Sequence, residues 1–523
     1  MTDSVNGSPL GALLMLDSGF IPTRHRLSGL DLALVALYLV GITLFGLRFR
    51  GKDRSLKSYF LADRTIPWWA IGLSIVAAET STLTIISVPG LAFSGDWGFF
   101  QIVLGYLLGR GMVCLLFLPR YFRGELLTAY EVIGQRFGPR LHQLTALLFL
   151  FLRAAAEGVR VFAVSIVVGM AIGAGDILSI GVICVLTLIY TLEGGMAAVI
   201  WTDVVQMFLY IAGTLVTVAM LGTLTPGGWH AIHAVAASSG KTTIFHFGFN
   251  LVQTYTFWAG AIGGCFLTMA SHGTDQLMVQ RLLAAKDLRS SRTALMASGL
   301  VIALQFALFL LIGTGLYYFY RLPGNEAPPA NPDRVFPSFI VTHMPRGAAG
   351  LMVAAILAAA MSNLSAAVNS LSSSSIVDLY LRWRPQTTER ARALASRGLT
   401  FFWTVVLFVL ALLSRGGGHV VETGLSIASV AYGSLLGVFL LGTLSRSSTE
   451  AGAMVGMLCG LLTNLLLWKQ PHEMALSFGD VRFTLPKIAW TWFVLIGSCV
   501  TFAVGWIASR VLSTQRRRQE VAP

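Results

Sequence analysis

Apolar runs of 18 or more residues recur from residue 28 to residue 511, separated by short polar stretches. A helix needs roughly 20 apolar residues to cross a bilayer, and these runs have that length. Barrel strands take only about 10 alternating residues, so a membrane barrel is excluded. The pattern predicts an all-α polytopic membrane protein of about thirteen transmembrane helices. The spans fall at roughly 28–47, 66–94, 99–118, 142–173, 177–192, 198–223, 254–272, 293–320, 348–376, 399–414, 421–444, 450–468 and 487–511.

Charge then orients the spans. Basic clusters fall in alternate loops: Arg48 to Lys57, Arg120 to Arg140, Arg281 to Arg292, and Arg382 to Arg397, with Arg516, Arg517 and Arg518 in the tail. By the positive-inside rule these loops are cytoplasmic. An odd number of spans puts residues 1–27 outside, as an N-terminal extracytoplasmic segment, and 512–523 inside, as a basic tail. The loop 224–253, with one lysine and no arginine, then lies outside. The first 27 residues lack the basic start, apolar core and small-residue cleavage site of a secretory signal, so no cleaved leader is expected.

Composition agrees. Hydrophobic residues make up 55% of the 523 and charged residues 12%, about half the charged share of a soluble chain, and mean hydropathy is +0.72. The net charge of +13 reads as membrane topology rather than nucleic-acid binding, because the cations sit in short loops. Five cysteines (114, 184, 265, 459 and 499) lie inside apolar runs without paired spacing, which argues against disulfides or a thiolate metal site. Residues 28–511 are expected to form a single transmembrane domain. No phosphate-cradling glycine loop occurs, which argues against ATP-driven pumping.

Two groups of five spans, about 66–223 and 254–444, start on opposite sides of the membrane. Each opens on a run rich in Gly or small polar residues: IVAAETSTLTIISVPG (75–90) and AGAIGGCFLTMASHGTDQ (259–276). Interrupted helices at matching positions point to an inverted-repeat transporter with its site at mid-membrane.

Polar groups inside the spans each need an account, since they are costly there. Glu79 lies among Thr80, Ser81, Thr82 and Thr84, and Pro89-Gly90 can help break the helix. It either pairs with a basic residue or lines a polar cavity that meets solute, cation or proton. Asp203, in AAVIWTDVVQMF, either caps a helix N-terminus or supplies a hard oxygen ligand. Ser362, Ser365 and Asn369 recur at helical spacing among alanines. They form either a small-residue packing face or a set of neutral oxygen ligands for Na+. Arg153, Glu157 and Arg160 share a helix face and read mainly as an internal ion network, with solute contact as the second reading. Gln305 and His272 are single polar groups expected to be hydrogen-bonded within the bundle.

Several stretches together resemble the sodium:solute symporter family, whose members include sodium–glucose, sodium–proline, sodium–sialic acid and sodium–pantothenate symporters. They are YFLADRTIPWWAIGLSIVAAETSTLTIISVPGLAF (59–93), YTLEGGMAAVIWTDVVQ (190–206), GTDQLMVQRLLAAKDL (273–288), AAILAAAMSNLSAAVNSLSSSSIVDLY (354–380) and AYGSLLGVFLLG (431–442). The resemblance implies the inverted five-helix repeats of the leucine-transporter fold and alternating access coupled to Na+. It implies a first Na+ site at the carbonyls of Ala77, Thr80 and Ala359 with the side chains of Ser362 and Asn363. Relatives often carry Ser or Thr where this chain has Asn363. A possible second Na+ site takes Asp203, Ser362 and Ser365, with Ala366 standing at the fourth hydroxyl position. The implied substrate pocket comprises Glu79, Ser81, Thr84, Thr268, Ser271 and His272. Glu79, Thr268 and Ser271 replace the pocket asparagines and inner-gate tyrosine of sugar-transporting relatives, which argues against glucose or galactose.

The function expected is Na+-driven symport of a small organic solute such as a sugar, carboxylate or amino acid, in a cell membrane of bacterial inner-membrane type. The partners expected are the solute, Na+ and the lipid bilayer, with neither nucleic acid nor an obligatory protein partner. Two alternatives are a proton-coupled transporter using Glu79 and a solute-binding sensor on a transporter scaffold. No metal-ligand cluster or nucleophile–base pair in the spans suggests an enzyme.

Overall fold

The computed structural model describes residues 27–48, 61–80, 82–123, 126, 128–172, 175–191, 196–380, 383–384, 386–414, 420–470, 473–478 and 481–521. Its principal helices in chain order are α1 (Gly29–Leu47), α2 (Trp68–Glu79), α3 (Thr82–Ser94), α4 (Phe100–Leu116), α5 (Pro139–Ile172), α6 (Asp176–Thr191), α7 (Met196–Leu224) and α8 (Gly264–Gly273). They continue with α9 (Gln276–Leu283), α10 (Leu288–Phe319), α11 (Ala348–Ser374), α12 (Glu389–Leu413), α13 (Val420–Leu444), α14 (Glu450–Lys469) and α15 (Phe493–Val521). One antiparallel hairpin, β1 (Glu473–Phe478) and β2 (Val481–Pro486), joins α14 to α15, with Glu473 opposite Pro486. Among the described residues seven helices are long and apolar enough to cross a membrane, and α2 with α3 forms a further bent pair. The segment read as a basic tail continues α15 to Val521, a stretch of good helix formers.

The bend between α2 and α3 is 59°. It falls at Thr80, whose ψ of 70° leaves the helical region. Pro89, expected to help the break, sits nine residues later inside α3. Its neighbour Gly90 serves packing instead: a Cβ there would lie 2.7 Å from the Pro332 carbonyl oxygen. In the second half the irregularity is of another kind. A π-helical turn over Ala259–Gly263 leads into α8, which stops at Gly273, and Asp275 then caps α9 through its carboxylate and the Leu277 N–H (2.9 Å).

The bent pair packs against α10, α2 also against α7, and α11 touches both halves. Helix α4 lies against α8 and α10, while α5 lies against α11, α12 and α13. Helix α1 is tied on through Asp31, which closes a capping box with Ser28 and accepts the Gly347 and Gly350 N–H groups at the start of α11 (2.6 and 2.9 Å). The loop expected outside folds back on the end of α3. Lys241 donates to the Phe93 and Gly95 carbonyls (2.7 and 2.8 Å), and His246 pairs with Asp96 at 2.8 Å. Burial, reinforced by Arg321, lowers the Lys241 pKa from its usual value.

Candidate functional site

The helix ends meet around a central cavity of about 110 Å³. Apolar walls come from Phe99, Tyr106, Leu267 and Phe306, and a few polar groups converge between them. That mixture is the usual character of a small-molecule site. Five of the six expected solute-pocket residues line it: Glu79, Thr84, Thr268, Ser271 and His272. Ser81 lies outside the described residues.

Glu79 lines the cavity and is also ion-paired. Its Oε2 receives Nη2 of Arg110 in a short contact, and His272 Nε2 lies 3.5 Å away. The other His272 ring nitrogen is 2.9 Å from the Ser271 hydroxyl. Arg110, fully buried on α4, also donates Nη1 to the Tyr106 carbonyl and Nε to Ser298, both at 3.3 Å. Nothing in the sequence reading named Arg110, though a lone arginine in the apolar run 99–118 was a signal available to it.

Arg153 and Arg160 of α5 also line the cavity. The expected network is present and larger than expected. Glu157 Oε2 lies 3.3 Å from Arg153 Nη2 and 3.1 Å from Arg160 Nη1. Asp275 joins it, 3.9 Å from Arg153 Nη1, and accepts the Tyr432 hydroxyl at 2.7 Å. Asp275 and Tyr432 were quoted in family stretches without a role. Arg153 Nε and Nη2 have no hydrogen-bond acceptor among the described residues.

The cation-site residues are distributed differently. Ala77 is buried at the end of α2, and the Thr80 hydroxyl donates to Gln305 Oε1 at 2.8 Å. Gln305 Nε2 is buried without a partner among the described residues. Asn363 of α11 faces Thr82, Glu157 and Arg160 across a void of about 10 Å³. The side chains of Ala359, Ser362, Ser365 and Asn369 lie outside the described residues. Asp203 is not a helix cap: it sits in the second turn of α7, where its carboxylate accepts from Ser74 (2.6 Å) and from Arg281 Nη2 (3.1 Å). Arg281, counted above among cytoplasmic-loop cations, is 1% exposed and also donates Nε to Ser74 at 2.9 Å. A guanidinium thus already contacts the carboxylate proposed as a second cation ligand.

A helix broken beside buried ion pairs, with a solute-sized cavity at the break, defines a membrane transporter site. The chain belongs to the Sodium:solute symporter family, whose sequence profile matches residues 59–460. It is accordingly a Na+-coupled multi-pass transporter and not an enzyme. It is 26% identical over 454 residues to the sodium/sialic acid symporter of Proteus mirabilis, covering 84% of this chain and 90% of that one. It is 28% identical over 451 residues to the human sodium/iodide cotransporter, covering 83% and 68%. A solved substrate-bound outward-open Na+-coupled sialic acid symporter superposes with a TM-score of 0.79, covering 92% of this chain and 98% of that one at 24% identity.

Proposed function

We propose that the chain takes up a small organic solute by alternating access, driven by Na+ influx, in a bacterial inner membrane. The observation that carries this reading is the 59° break at Thr80, which brings the cavity residue Glu79 beside backbone freed from α-helical pairing. Carbonyls of Ala77, Thr80 and Ala359 with Ser362 and Asn363 hold one Na+, bridging the bent pair and α11. The solute lies against Glu79, Ser81, Thr84, Thr268, Ser271 and His272. Each ligand stabilises the arrangement that binds the other, a reciprocal coupling of about 1–3 kcal/mol. Thirteen spans in two inverted repeats, about 66–223 and 254–444, put residues 1–27 outside and 512–523 in the cytoplasm. A second Na+ at Asp203, Ser362 and Ser365 has to compete with Arg281, which favours one Na+ per cycle. Proton coupling through Glu79 has to break the Glu79–Arg110 pair first, which favours Na+.

The test is thermal unfolding of the purified protein in about 100 mM sodium, potassium or choline chloride, together with solute accumulation in proteoliposomes. A ligand at about 100 times its dissociation constant adds about 2.7 kcal/mol, so a millimolar Na+ site is visible. The expected result is a Na+-specific shift that Ser362→Ala abolishes, and accumulation that follows the Na+ gradient. Uptake that follows a pH gradient in the absence of Na+ would transfer the coupling to Glu79. Solute binding without net accumulation would leave a sensor.

A further inference from the structure

We infer that segment 244–252 is a membrane-seated strap: its phenylalanines lie in the lipid interface and thereby hold the nearby end of α3. The partner is the leaflet on the side of the 224–253 loop, the outer one in the topology proposed above.

The carrying observation is an apolar surface where the sequence predicts a loop outside the membrane. Phe245, Phe247 and Phe249 alternate along the chain and are 45%, 64% and 68% exposed, with Leu251 and Val252 exposed beside them. The rings are already ordered. Phe245 stacks on Phe247, and Phe247 packs on Phe257 with 5.2 Å between centroids. A contiguous apolar patch is rare in water and marks a lipid or protein contact. Aromatic side chains in particular gather where a bilayer meets water.

Depth, charge and backbone bonding select lipid as the occupant. Phe249 packs on Trp492 at 5.9 Å, and Trp492 stands in the first turn of the span Trp490–Leu512. The Ala489 N–H, just ahead of that span, donates to the Leu251 carbonyl at 2.8 Å. Trp258, immediately before the π-helical turn into α8, donates its indole N–H to the Phe247 carbonyl at 3.1 Å. The segment therefore crosses the ends of two apolar runs, at the level where they leave the bilayer. A soluble protein seated on Phe249 would have to reach that same depth. No Asp, Glu, Lys or Arg occurs between Lys241 and Asp275, so no such charge has to be drawn out of water. The backbone is also provided for. The His246, Phe247 and Leu251 carbonyls accept bonds from Phe257, Trp258 and Ala489, and the Val252 N–H donates to the Asn250 side chain at 2.8 Å. Polar groups satisfied within the protein lower the cost of leaving water.

The other edge of the strap is fastened to the bent pair. Lys241 holds the Phe93 and Gly95 carbonyls, the Trp97 N–H donates to the Thr243 carbonyl at 3.1 Å, and His246 pairs with Asp96. Gln101 of α4 accepts the His246 N–H at 3.0 Å. With lipid on one edge and the end of α3 on the other, the strap is a brace: seating its rings restrains the α3 arm of the bent pair.

The experiment puts photoreactive benzoylphenylalanine in place of Phe247 or Phe249 in the full-length protein, reconstituted in phosphatidylcholine vesicles. The same probe at Ser239, exposed just past the helix Gly228–Ser238, is the water-side control. Irradiation is expected to give phospholipid adducts at 247 and 249 about fivefold or more above those at 239. Lipid yields no higher than at 239, or a second copy of the chain as the main adduct, overturn the lipid seat. Hydrogen exchange over residues 93–101 reads the brace. Phe245→Ser/Phe247→Ser/Phe249→Ser is expected to speed exchange there about tenfold in the same vesicles while α14 keeps its rate. Phe247→Ser alone gives the same reading if the triple variant does not fold. Unchanged exchange over 93–101 overturns the hold on α3. Neither result depends on which ion or solute the protein carries.

Discussion

Helices α4 and α5 each carry an arginine to the central cavity region, and they treat it differently. Arg110 on α4 is saturated, with Glu79, the Tyr106 carbonyl and Ser298 engaging its three nitrogens. Arg153 on α5 is also buried and keeps two nitrogens without hydrogen-bond partners among the described residues, one of them still 3.3 Å from Glu157. A satisfied buried ion pair holds helices in place, whereas a half-satisfied one leaves part of the desolvation cost of its donors uncompensated. The same contrast extends to packing. Helix α4 is clamped to the second half, since a Cβ on Gly105 would lie 2.1 Å from the Gly260 carbonyl oxygen.

The contrast can be broken or sharpened by substitution. The largest effect is expected from Arg110→Met, which leaves the Glu79 carboxylate buried with only His272 beside it, at a cost of about 3–5 kcal/mol in thermal or denaturant unfolding. The double variant Glu79→Gln/Arg110→Met should recover much of that loss, because no lone charge remains. Simple addition of the two single losses would show that the pair is not energetically coupled. Arg281→Met exposes the equivalent problem at Asp203 and should cost about 3 kcal/mol in potassium, with part returned in sodium if Asp203 can then ligate the ion. Absence of any sodium-specific recovery would argue against a second cation site there. Gly105→Ala should cost about 1–3 kcal/mol by forcing α4 away from α8. Arg153→Gln, measured without solute, should cost about 1 kcal/mol or less, since Glu157 keeps Arg160 and Asp275 keeps Tyr432. A loss as large as that of Arg110→Met would make Arg153 a structural residue. The smallest effect is expected from Gly111→Ala on the open face of α4. Beyond its own stretch of helix no atom lies within 4 Å of its Cβ position, and a gain of about 0.5 kcal/mol follows from helix propensity alone.

Of the cavity residues, Glu79 and His272 stand out in the chain as polar groups in apolar runs, where polarity calls for a partner or a cavity; Thr84, Thr268 and Ser271 were expected in a pocket through the family resemblance. The place of the break could not be read in the same way. Pro89 marked the region, but a proline tolerated within α3 does not say which residue leaves the helix, and Thr80 does. Asp203 looked open to a cation for a like reason: only its place near a helix start was visible, while Arg281 looked like one more loop cation.

By itself, the sequence determined the class of protein: hydropathy set the apolar runs, Glu79 stood out within one of them, and the motifs carried the family resemblance. These are local properties, legible over about 20 residues. Tertiary structure alone decided which charges meet. Arg110 reaches Glu79 across 31 positions of chain, Arg281 reaches Asp203 across 78, and Arg281 reaches Ser74 across 207. Such pairings depend on how helices pack, and a buried charge takes whichever opposite charge the packing brings within a few ångströms. The same packing engaged all three nitrogens of Arg110, which has no acid near it in its own run. It left two nitrogens of Arg153 without hydrogen-bond partners among the described residues, although Glu157 stands one turn along its own helix.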